Sequence, residues 1–258
     1  MKVVHRVLDP KRFDPGTTGL CALAVMTKAP RAGRVKTRLV PPLTPAEAAQ
    51  LNSCFLRDTA GAIAQATGDI ARAIAVYTPI GAEEAYSDIL PRDFDLLPQR
   101  GKGFGERLAA ASEDLFRIGF GSVCLIDSDS PTVSAECYTQ AAKLLSVQND
   151  RVVLGPADDG GYYLIGMKKN DRRLFEEIDW STERVLDQTV QRAAELKLAV
   201  EFLPTSYDVD DRTTLRRVCD ELLKGNSRSR IDTAPATRTF LREIVAREGR
   251  ARIWPREK

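Results

Sequence analysis

The chain has 258 residues, 43% of them hydrophobic and 29% charged, and its net charge is +2. This composition is typical of a globular protein with a substantial core, and no apolar run approaches the roughly 20 residues of a membrane span. The single histidine, His5, argues against Ser-His-Asp and Cys-His mechanisms and against an HExxH zinc site. Any chemistry must therefore depend on carboxylates, cations, hydroxyls and a hard metal ion.

The ends of the chain differ from its middle. Residues 1–19 lack the apolar segment of a secretory signal, and we interpret them as a flexible leader. Residues 226–258 hold nine Arg or Lys and four Asp or Glu. A basic tail of this kind can bind nucleic acid or a membrane surface, although it is more often a solvated face. We expect one domain over residues 20–225, then a basic extension in which Thr237–Arg247 could form a short helix.

The cysteines indicate the compartment. The five of them are scattered, with no C-x-x-C pair: Cys21, Cys54, Cys124, Cys137 and Cys219. This pattern is typical of reduced thiols in a cytoplasmic protein rather than of disulfides or a zinc site. We expect no DNA partner, and the sequence leaves the oligomeric state open.

The first strong pattern is an apolar run, Cys21–Met26, that leads into a loop with five cations. These cations are Lys28, Arg31, Arg34, Lys36 and Arg38. Crowded cations repel one another unless an anion lies among them, and ligands of α/β proteins bind at the carboxyl ends of strands. Backbone N–H groups favour phosphate there, and Arg and Lys add charge-assisted bonds. We interpret Lys28–Arg38, the basic loop, as a polyphosphate-binding segment; the alternative is a solvated basic loop.

Strands and helices alternate along the rest of the chain. A capping box with Pro at the first helical position, Thr44–Glu47, predicts a helix that ends near Ala66. Further strands are predicted at Ala71–Tyr77, Phe94–Pro98, Ser122–Ile126, Arg151–Gly155, Gly161–Met167 and Val200–Pro204. Further helices are predicted at Glu83–Leu90, Phe104–Ile118, Ser134–Leu145, Ser181–Leu196 and Asp211–Leu223. This order predicts an α/β fold with a parallel sheet covered by helices on both faces, and the two consecutive strands in 151–167 make the sheet mixed.

Two pairs of aspartates are candidate metal ligands. Asp127 and Asp129 follow the strand Ser122–Ile126, and Asp208 and Asp210 follow the strand Val200–Pro204. Acids one residue apart in an extended segment point to the same side and repel each other unless a cation joins them. Mg²⁺ prefers one or two carboxylates together with phosphate oxygens. The alternatives are a strand-end turn for the first pair and a helix cap for the second.

Three alternating glycines follow the third predicted strand, in the segment Gln99–Arg107. Backbone without side chains can approach a flat base or a ribose closely. We therefore predict nucleotide contacts from Gln99, Gly101, Gly103 and Arg107. The alternative is a flexible entry into the following helix.

Two segments are candidates for binding an acceptor. Paired glycines within Pro156–Tyr163 permit close backbone approach to a ligand, and the acids beside them could orient an acceptor or the metal. Trp180–Thr182 offers an aromatic face beside a predicted helix start. The alternatives are a tight turn and a helix cap with a core tryptophan. The predicted acceptor-binding residues are Asp158, Asp159, Gly160, Gly161, Tyr162, Trp180, Ser181 and Thr182.

These motifs occur together, and in this order, in a known family. They are Lys28–Leu39, Gln99–Arg107, Asp129–Pro131, Gly155–Tyr163, Trp180–Thr182 and Asp208–Asp210. Over about residues 20–222, the chain resembles the DUF2064 family of glycosyltransferase-A-fold proteins, often named transferase 1 of radical-SAM/selenodomain or arsenosugar gene neighbourhoods. The resemblance implies the three-layer α/β sandwich of nucleotide-diphospho-sugar transferases, with Mg²⁺ (or Mn²⁺) held by the first acidic motif. Because the family usually has Gly at Asp127 and Cys at Ser130, the implied metal ligand is Asp129.

The basic loop is also similar to the loop after the first strand of 2-phospholactate guanylyltransferases. Glycosyltransferases of this fold generally lack such a loop, because a diphosphate sugar needs less neutralisation than a triphosphate. We therefore predict nucleotidyl transfer, in which an acceptor phosphate or carboxylate attacks the α-phosphorus of a nucleoside triphosphate and pyrophosphate leaves. Such acceptors are already ionised, so no histidine base is required.

The predicted catalytic residues are Lys28, Lys36, Arg38 and Asp129, with the three cations on the phosphates and Asp129 and Asp210 on the metal. Nucleotide contacts are also predicted for Ala29, Pro30, Gly33 and Thr37. One alternative is glycosyl transfer from a nucleotide sugar, in which Asp158 or Asp159 deprotonates an acceptor hydroxyl. Another is a non-catalytic nucleotide-binding protein.

Overall fold

The computed structural model of the protein describes residues 3–224 and 233–253. Its strands are β1 (Cys21–Lys28), β2 (Ala71–Thr78), β3 (Asp95–Pro98), β4 (Ser122–Ile126), β5 (Arg151–Pro156), β6 (Tyr162–Met167) and β7 (Ala199–Phe202). They form one sheet in the order β3-β2-β1-β4-β6-β5-β7. β6 runs antiparallel to β4 and β5, and the other neighbouring pairs are parallel. The mostly parallel, mixed sheet predicted from the sequence is confirmed.

Helices cover both faces of this sheet. They are α1 (Pro45–Thr67), α2 (Phe104–Ile118), α3 (Ala135–Ser146), α4 (Val185–Glu195), α5 (Arg212–Lys224) and α6 (Pro235–Glu248). Buried side chains of α1 and α3, such as Leu56 and Tyr138, pack on one face, and those of α2, such as Leu115, pack on the other. A third apolar cluster joins α1 to α5 and α6. No helix in the described part of the chain is both long and apolar enough to cross a bilayer.

The strand directions determine where the loops of interest meet. β4 is buried along its whole length, as expected for a strand with helices on both faces. All the strands except β6 run in one direction, so the segments that follow β1, β3, β4, β5 and β7 emerge at the same edge of the sheet. The basic loop, both acidic motifs and the glycine-rich segments therefore share one edge, which is where ligands bind in open α/β sheets.

Two predicted helices are shorter than expected. Glu83–Leu90 contains only a 3₁₀ turn, Glu83–Tyr86, since the segment ends ahead of Pro91 and the residue before a proline disfavours helical backbone. The helix predicted from Ser181 begins at Val185. Ser181 has a φ of 66°, which is left-handed and cannot continue a right-handed helix.

The flexible leader predicted over residues 1–19 is wrong for its described part. The Leu8 N–H donates to the Leu96 carbonyl, and the Leu96 N–H donates to the Arg6 carbonyl, each at 2.8 Å. His5 is buried, and its Nδ1 donates to the Phe94 carbonyl at 3.0 Å. This segment pairs with the outer edge of β3, whose backbone groups would otherwise stay unpaired. The segment has few apolar residues, so no hydrophobic periodicity in the sequence predicted this pairing.

The described part of the basic extension folds back onto the domain. α6 includes the helix predicted at Thr237–Arg247 and packs against α1. Arg252 pairs with Glu47 at 2.6 Å and with Glu248 at 2.9 Å, so this cation serves in protein ion pairs rather than in a free basic face. Residues 226–230, the start of the basic extension, lie outside the described residues.

Asp58 of α1 caps the start of α6. Its carboxylate accepts hydrogen bonds from the backbone N–H groups of Ala236 (2.9 Å) and Thr237 (2.8 Å), in a position where the side chain is buried. We expect Asp58→Ala to lower the free energy of unfolding by about 2 kcal/mol, because two buried donors lose their acceptor. Urea denaturation followed by circular dichroism measures this change, and a loss below about 0.5 kcal/mol would contradict the capping role.

Candidate active site

Lys36 of the basic loop connects the two acidic motifs. Its ammonium lies 2.7 Å from Oδ1 of Asp210 and 2.9 Å from Oδ1 of Asp129. It also donates to the Val209 carbonyl at 2.9 Å. The backbone of Lys36 is left-handed, with a φ of 48°, and its side chain is only 4% exposed. A cation from β1's loop thus joins carboxylates that follow β4 and β7.

The charges of this cluster stabilise one another. Burial by itself would lower the pKa of the Lys36 ammonium, but the carboxylates of Asp129 and Asp210 outweigh it, so the pKa is raised. Burial would raise the pKa of Asp210, and the Lys36 charge instead holds it below its ordinary value. Lys36 is therefore a permanent cation between two carboxylates.

The other cations of the basic loop are exposed and form no ion pair with any described residue. They are Lys28, Arg31, Arg34 and Arg38. All of these except Arg31 line a cavity of about 280 Å³, together with Lys36, Thr37, Asp129 and Asp210. We call this space the phosphate cavity, after the ligand that the basic loop predicts. Its position beside both acidic motifs favours anion binding over a merely solvated loop.

Three other predicted residues of the basic loop have different surroundings. Ala29 is buried, and its N–H donates to the Thr78 carbonyl at 2.8 Å, so this donor is already used by the protein. Pro30 is half-buried. Gly33 has a φ of 72° with open space around it, so the glycine is required by the turn. Their nucleotide contacts stay predictions.

Asp127 is an acid whose charge the protein disfavours. Its Oδ2 accepts a 2.7 Å hydrogen bond from Ser130, whereas its Oδ1 is buried without a partner among the described residues. Burial and then the neighbouring Asp129 charge raise the pKa of Asp127 well above its ordinary value. A bound cation would give this carboxylate oxygen a partner and would offset the repulsion between the neighbouring carboxylates.

The donor set fits a hard divalent cation. Asp127, Asp129, Asp208 and Asp210 supply only carboxylate oxygens, the ligands that Mg²⁺ prefers. Within residues 3–224 and 233–253, no three such side chains already surround one point. Instead, the Lys36 ammonium lies between two of them, so the free protein holds a cation there by itself.

Asp208 gives the site a pH-dependent stability. Burial, and then the charges of Asp210 and Asp159, raise its pKa to about 7. Since the folded-state pKa lies above the unfolded value, the stability contributed by the protonated carboxyl is lost as the pH rises from about 4 through about 7.

We therefore expect Asp208→Asn to gain stability over the wild type as the pH is raised from about 4 to about 8, reaching about 1 kcal/mol after screening. Urea denaturation at both pH values measures the difference. A difference that does not change with pH would contradict the assignment of this shift to Asp208.

The second cavity adjoins the first and has a volume of about 560 Å³. Both are lined by Arg38, Asp129 and Asp210. The larger one, which we call the acceptor cavity, also contains several residues predicted from the glycine pair and the tryptophan motif: Asp159, Gly161, Tyr162, Trp180, Ser181 and Thr182. It brings these together with Asp127 and Asp208, and their roles in binding an acceptor and a metal ion stay predictions.

Sequence reasoning missed part of the acceptor cavity's lining. Met26, Phe104, Leu108 and Glu183 also line it. Phe104 carried a usable signal, because it lies between two glycines and directly follows the cap of α2. Leu108 gave no separate signal, since its apolar spacing in α2 predicted only the core.

Two glycines hold the wall of the acceptor cavity in place. A Cβ at Gly105 would overlap the indole of Trp180, and a Cβ at Gly160 would overlap the backbone of Glu183. Gly160 also has a φ of 85°, and its carbonyl accepts from the Leu186 N–H at 2.8 Å. These glycines allow the segment before α4 to pack closely on α2 and on the turn after β5.

Other predicted residues line neither cavity. Asp158 pairs with Arg217 on the surface. The Gln99 amide donates to the Thr27 and Val76 carbonyls, which ties β3's end to the neighbouring strands. Gly101 turns the chain with a φ of 105°, and Gly103 is the N-cap of α2. The nucleotide contacts of these residues and of Arg107 stay predictions.

Comparisons with known proteins agree with the family predicted from the motifs. The family model described as "Uncharacterized protein conserved in bacteria (DUF2064)" matches residues 60–182, which confirms the resemblance. Among proteins of curated function, none matches the sequence.

Solved structures confirm the fold. A candidate nucleotide-diphospho-sugar transferase from Desulfovibrio desulfuricans G20 superposes with a TM-score of 0.77 at 29% identity, over 90% of this chain and 98% of that one. A CMP:2-keto-3-deoxy-manno-octonic acid synthetase complexed with CTP superposes at 0.50 and 10% identity, over 77% and 96% of the two chains. The second likeness shows the fold only. The chain thus shares its fold with both structures, and its similarity to the candidate nucleotide-diphospho-sugar transferase extends to the sequence.

Proposed function

We propose that the protein transfers a nucleotidyl group from a nucleoside triphosphate to a small acceptor, with a divalent cation bound at the acidic motifs. The observation that carries this proposal is the phosphate cavity. Three cations that form no ion pair with a described residue, Lys28, Arg34 and Arg38, surround it together with Lys36 and the carboxylates of Asp129 and Asp210. Such an arrangement suits a ligand with several negative charges and a metal ion beside them.

The number of unpaired cations favours a triphosphate. A diphosphate sugar carries less negative charge and would leave more of the basic loop uncompensated. Since exposed like charges in one short loop repel each other, the loop is best stabilised by the more highly charged ligand. Charge-assisted bonds from Arg and Lys to phosphate would hold the donor.

The proposed reaction makes one bond and breaks one. An acceptor oxygen attacks the α-phosphorus, the bond from that phosphorus to the bridging oxygen of pyrophosphate breaks, and pyrophosphate leaves with both electrons of that bond. If the acceptor is a hydroxyl, its proton passes to a carboxylate of the acceptor cavity, and Asp159 and Glu183 have no ion-pair partner in the described chain.

The protein's own contribution is to position both substrates and to stabilise charge. Lys28, Arg34 and Arg38 would neutralise the departing pyrophosphate. Asp129 and Asp210 would hold Mg²⁺ or Mn²⁺, with Asp127 and Asp208 beside them. A bound ion of this type supplies further charge neutralisation at the phosphate oxygens.

Glycosyl transfer from a nucleotide sugar is the second candidate. Two observations favour it: the similarity to the D. desulfuricans protein, and the aromatic residues and carboxylates of the acceptor cavity. In that reaction the nucleoside diphosphate leaves, and a carboxylate such as Asp159 deprotonates the acceptor hydroxyl. A non-catalytic nucleotide-binding protein has no comparable observation in its favour.

Thermal shifts with each nucleoside triphosphate and with a panel of nucleotide sugars, with and without Mg²⁺, test the proposal. A ligand at about 100 times its Kd adds about 2.7 kcal/mol of stability. We expect one triphosphate to give the largest shift and to require Mg²⁺. Stabilisation by nucleotide sugars only would overturn nucleotidyl transfer in favour of glycosyl transfer, and stabilisation by no nucleotide would overturn both.

A further inference from the structure

The ionisable side chains around the acceptor cavity are mostly acids. Six acids line it, whereas Arg38 is the one cation among its described lining residues. The acids are Asp127, Asp129, Asp159, Glu183, Asp208 and Asp210. Two of these acids, Asp159 and Glu183, belong to neither acidic motif, and an anion beside them would be repelled.

Part of this acidity is already assigned. Asp129 and Asp210 pair with Lys36, and the proposed metal ion would draw on the same two motifs. Asp159 and Glu183 belong to neither acidic motif. Asp159 accepts only the Gly161 N–H, at 2.9 Å, and Glu183 has no side-chain hydrogen bond or ion pair within residues 3–224 and 233–253. Two uncompensated carboxylates therefore remain for the acceptor.

The same cavity has an aromatic wall. Phe104 and Trp180 pack edge to face, with ring centroids 5.2 Å apart, and Phe104 is 48% exposed. Gly105 leaves the space that the Trp180 indole fills. The wall is thus held by close packing and presents an exposed aromatic surface to the cavity.

We infer, resting on the proposed function, that the acceptor is a ring-shaped molecule without negative charge, which presents hydroxyl or amino groups to Asp159 and Glu183. Rings pack favourably on aromatic side chains, and an amine gains a further attraction from the aromatic face. Hydroxyl and amino groups donate to carboxylates, whereas a phosphate or carboxylate cannot. This inferred acceptor differs from the phosphorylated or carboxylated acceptor predicted from the sequence, and the two predict opposite charge preferences.

Fluorescence of Trp180 tests the inference without knowledge of the natural acceptor. The chain has two tryptophans, Trp180 and Trp254, so a Trp254→Phe variant reports on the cavity wall. The probes are benzylamine, benzyl alcohol and benzoate, which share one ring and differ in charge. We expect the Kd of benzylamine to be about fivefold or more below that of benzoate, with benzyl alcohol between them, because exposed charge pairs contribute modestly.

Matched variants assign the preference to particular residues. Asp159→Asn combined with Glu183→Gln, in the Trp254→Phe background, is expected to reduce the difference between benzylamine and benzoate to less than about twofold. Glu176→Gln removes an exposed acid of the same region that pairs with Arg172 and lines neither cavity. This control should keep the preference of the parent.

Benzoate binding as tight as benzylamine binding would overturn the inference, and so would the absence of a response of Trp180 to any probe. A preference for benzylamine that survives the double variant would also overturn it. The nucleotide thermal shifts separate this result from the proposed function. If a triphosphate stabilises the protein while benzoate binds best, the acceptor inference fails and the proposed function stands. If no triphosphate stabilises the protein while benzylamine binds best, only the proposed function is overturned.

Discussion

Lys36→Met is expected to weaken binding of a nucleoside triphosphate with Mg²⁺ by about 30-fold, or about 2 kcal/mol. The variant removes a nearly buried cation that lines the phosphate cavity and connects Asp129 to Asp210. Lining the cavity with positive charge and connecting the two aspartates both require the ammonium. Methionine keeps most of the apolar volume of the side chain and loses only the charge. Isothermal titration with the triphosphate that gives the largest thermal shift measures the effect.

Arg31→Met is the matched control for this prediction. It removes a cation from the same basic loop, but one that does not line the phosphate cavity. We expect the affinity for the triphosphate to fall by at most about threefold, because Arg31 contributes only to the long-range attraction of the basic loop. Equal losses for the two variants would show that the loop acts through its net charge, and the specific role of Lys36 would then be wrong.

Asp129→Asn is expected to have a comparably large effect on the metal ion. We expect Mn²⁺ binding in the presence of the nucleotide to weaken by about 30-fold or more, because an amide is a far poorer ligand for a hard cation than a carboxylate. The Asp129 carbonyl accepts from the Val209 N–H at 2.9 Å, so the position also links the two acidic motifs through the backbone, and the asparagine keeps this link. Electron paramagnetic resonance of free Mn²⁺ measures the change.

Asp150→Asn is the control for Asp129→Asn. Asp150 is a surface acid that pairs with Lys169 and lines neither cavity, so its variant should bind Mn²⁺ like the parent. Undiminished Mn²⁺ binding by Asp129→Asn would exclude Asp129 as a ligand and leave Asp127, Asp208 and Asp210 as the candidates.

The sequence was sufficient to predict the edge of the sheet at which these residues meet. Buried strands such as Ser122–Ile126 are recognisable from continuous apolar character, and helices such as α1 from capping and periodicity. Once the strands are taken as parallel, the basic loop and Asp129 must emerge together. The position of Trp180 does not follow from this topology, because β6, the strand before it, runs antiparallel and ends at the opposite edge.

Other features depend on contacts that no local pattern records. The direction of the Lys36 side chain follows from a left-handed backbone at a residue other than glycine. The position of the Trp180 indole depends on the absence of a Cβ at Gly105, 75 positions earlier in the chain. The N-terminal segment pairs with β3 through backbone groups around Leu96, which leave little trace in side-chain periodicity.

The central claim is that one site holds the donor phosphates on the basic loop and a divalent cation at the two acidic motifs. A crystal structure with Mn²⁺ and the triphosphate that gives the largest thermal shift, with the metal located by its anomalous scattering, tests it most directly. The account predicts a manganese peak on the carboxylates of Asp129 and Asp210, and phosphate oxygens within hydrogen-bond distance of Lys28, Lys36 or Arg38. Manganese at other residues, or a triphosphate bound away from the basic loop, would contradict it.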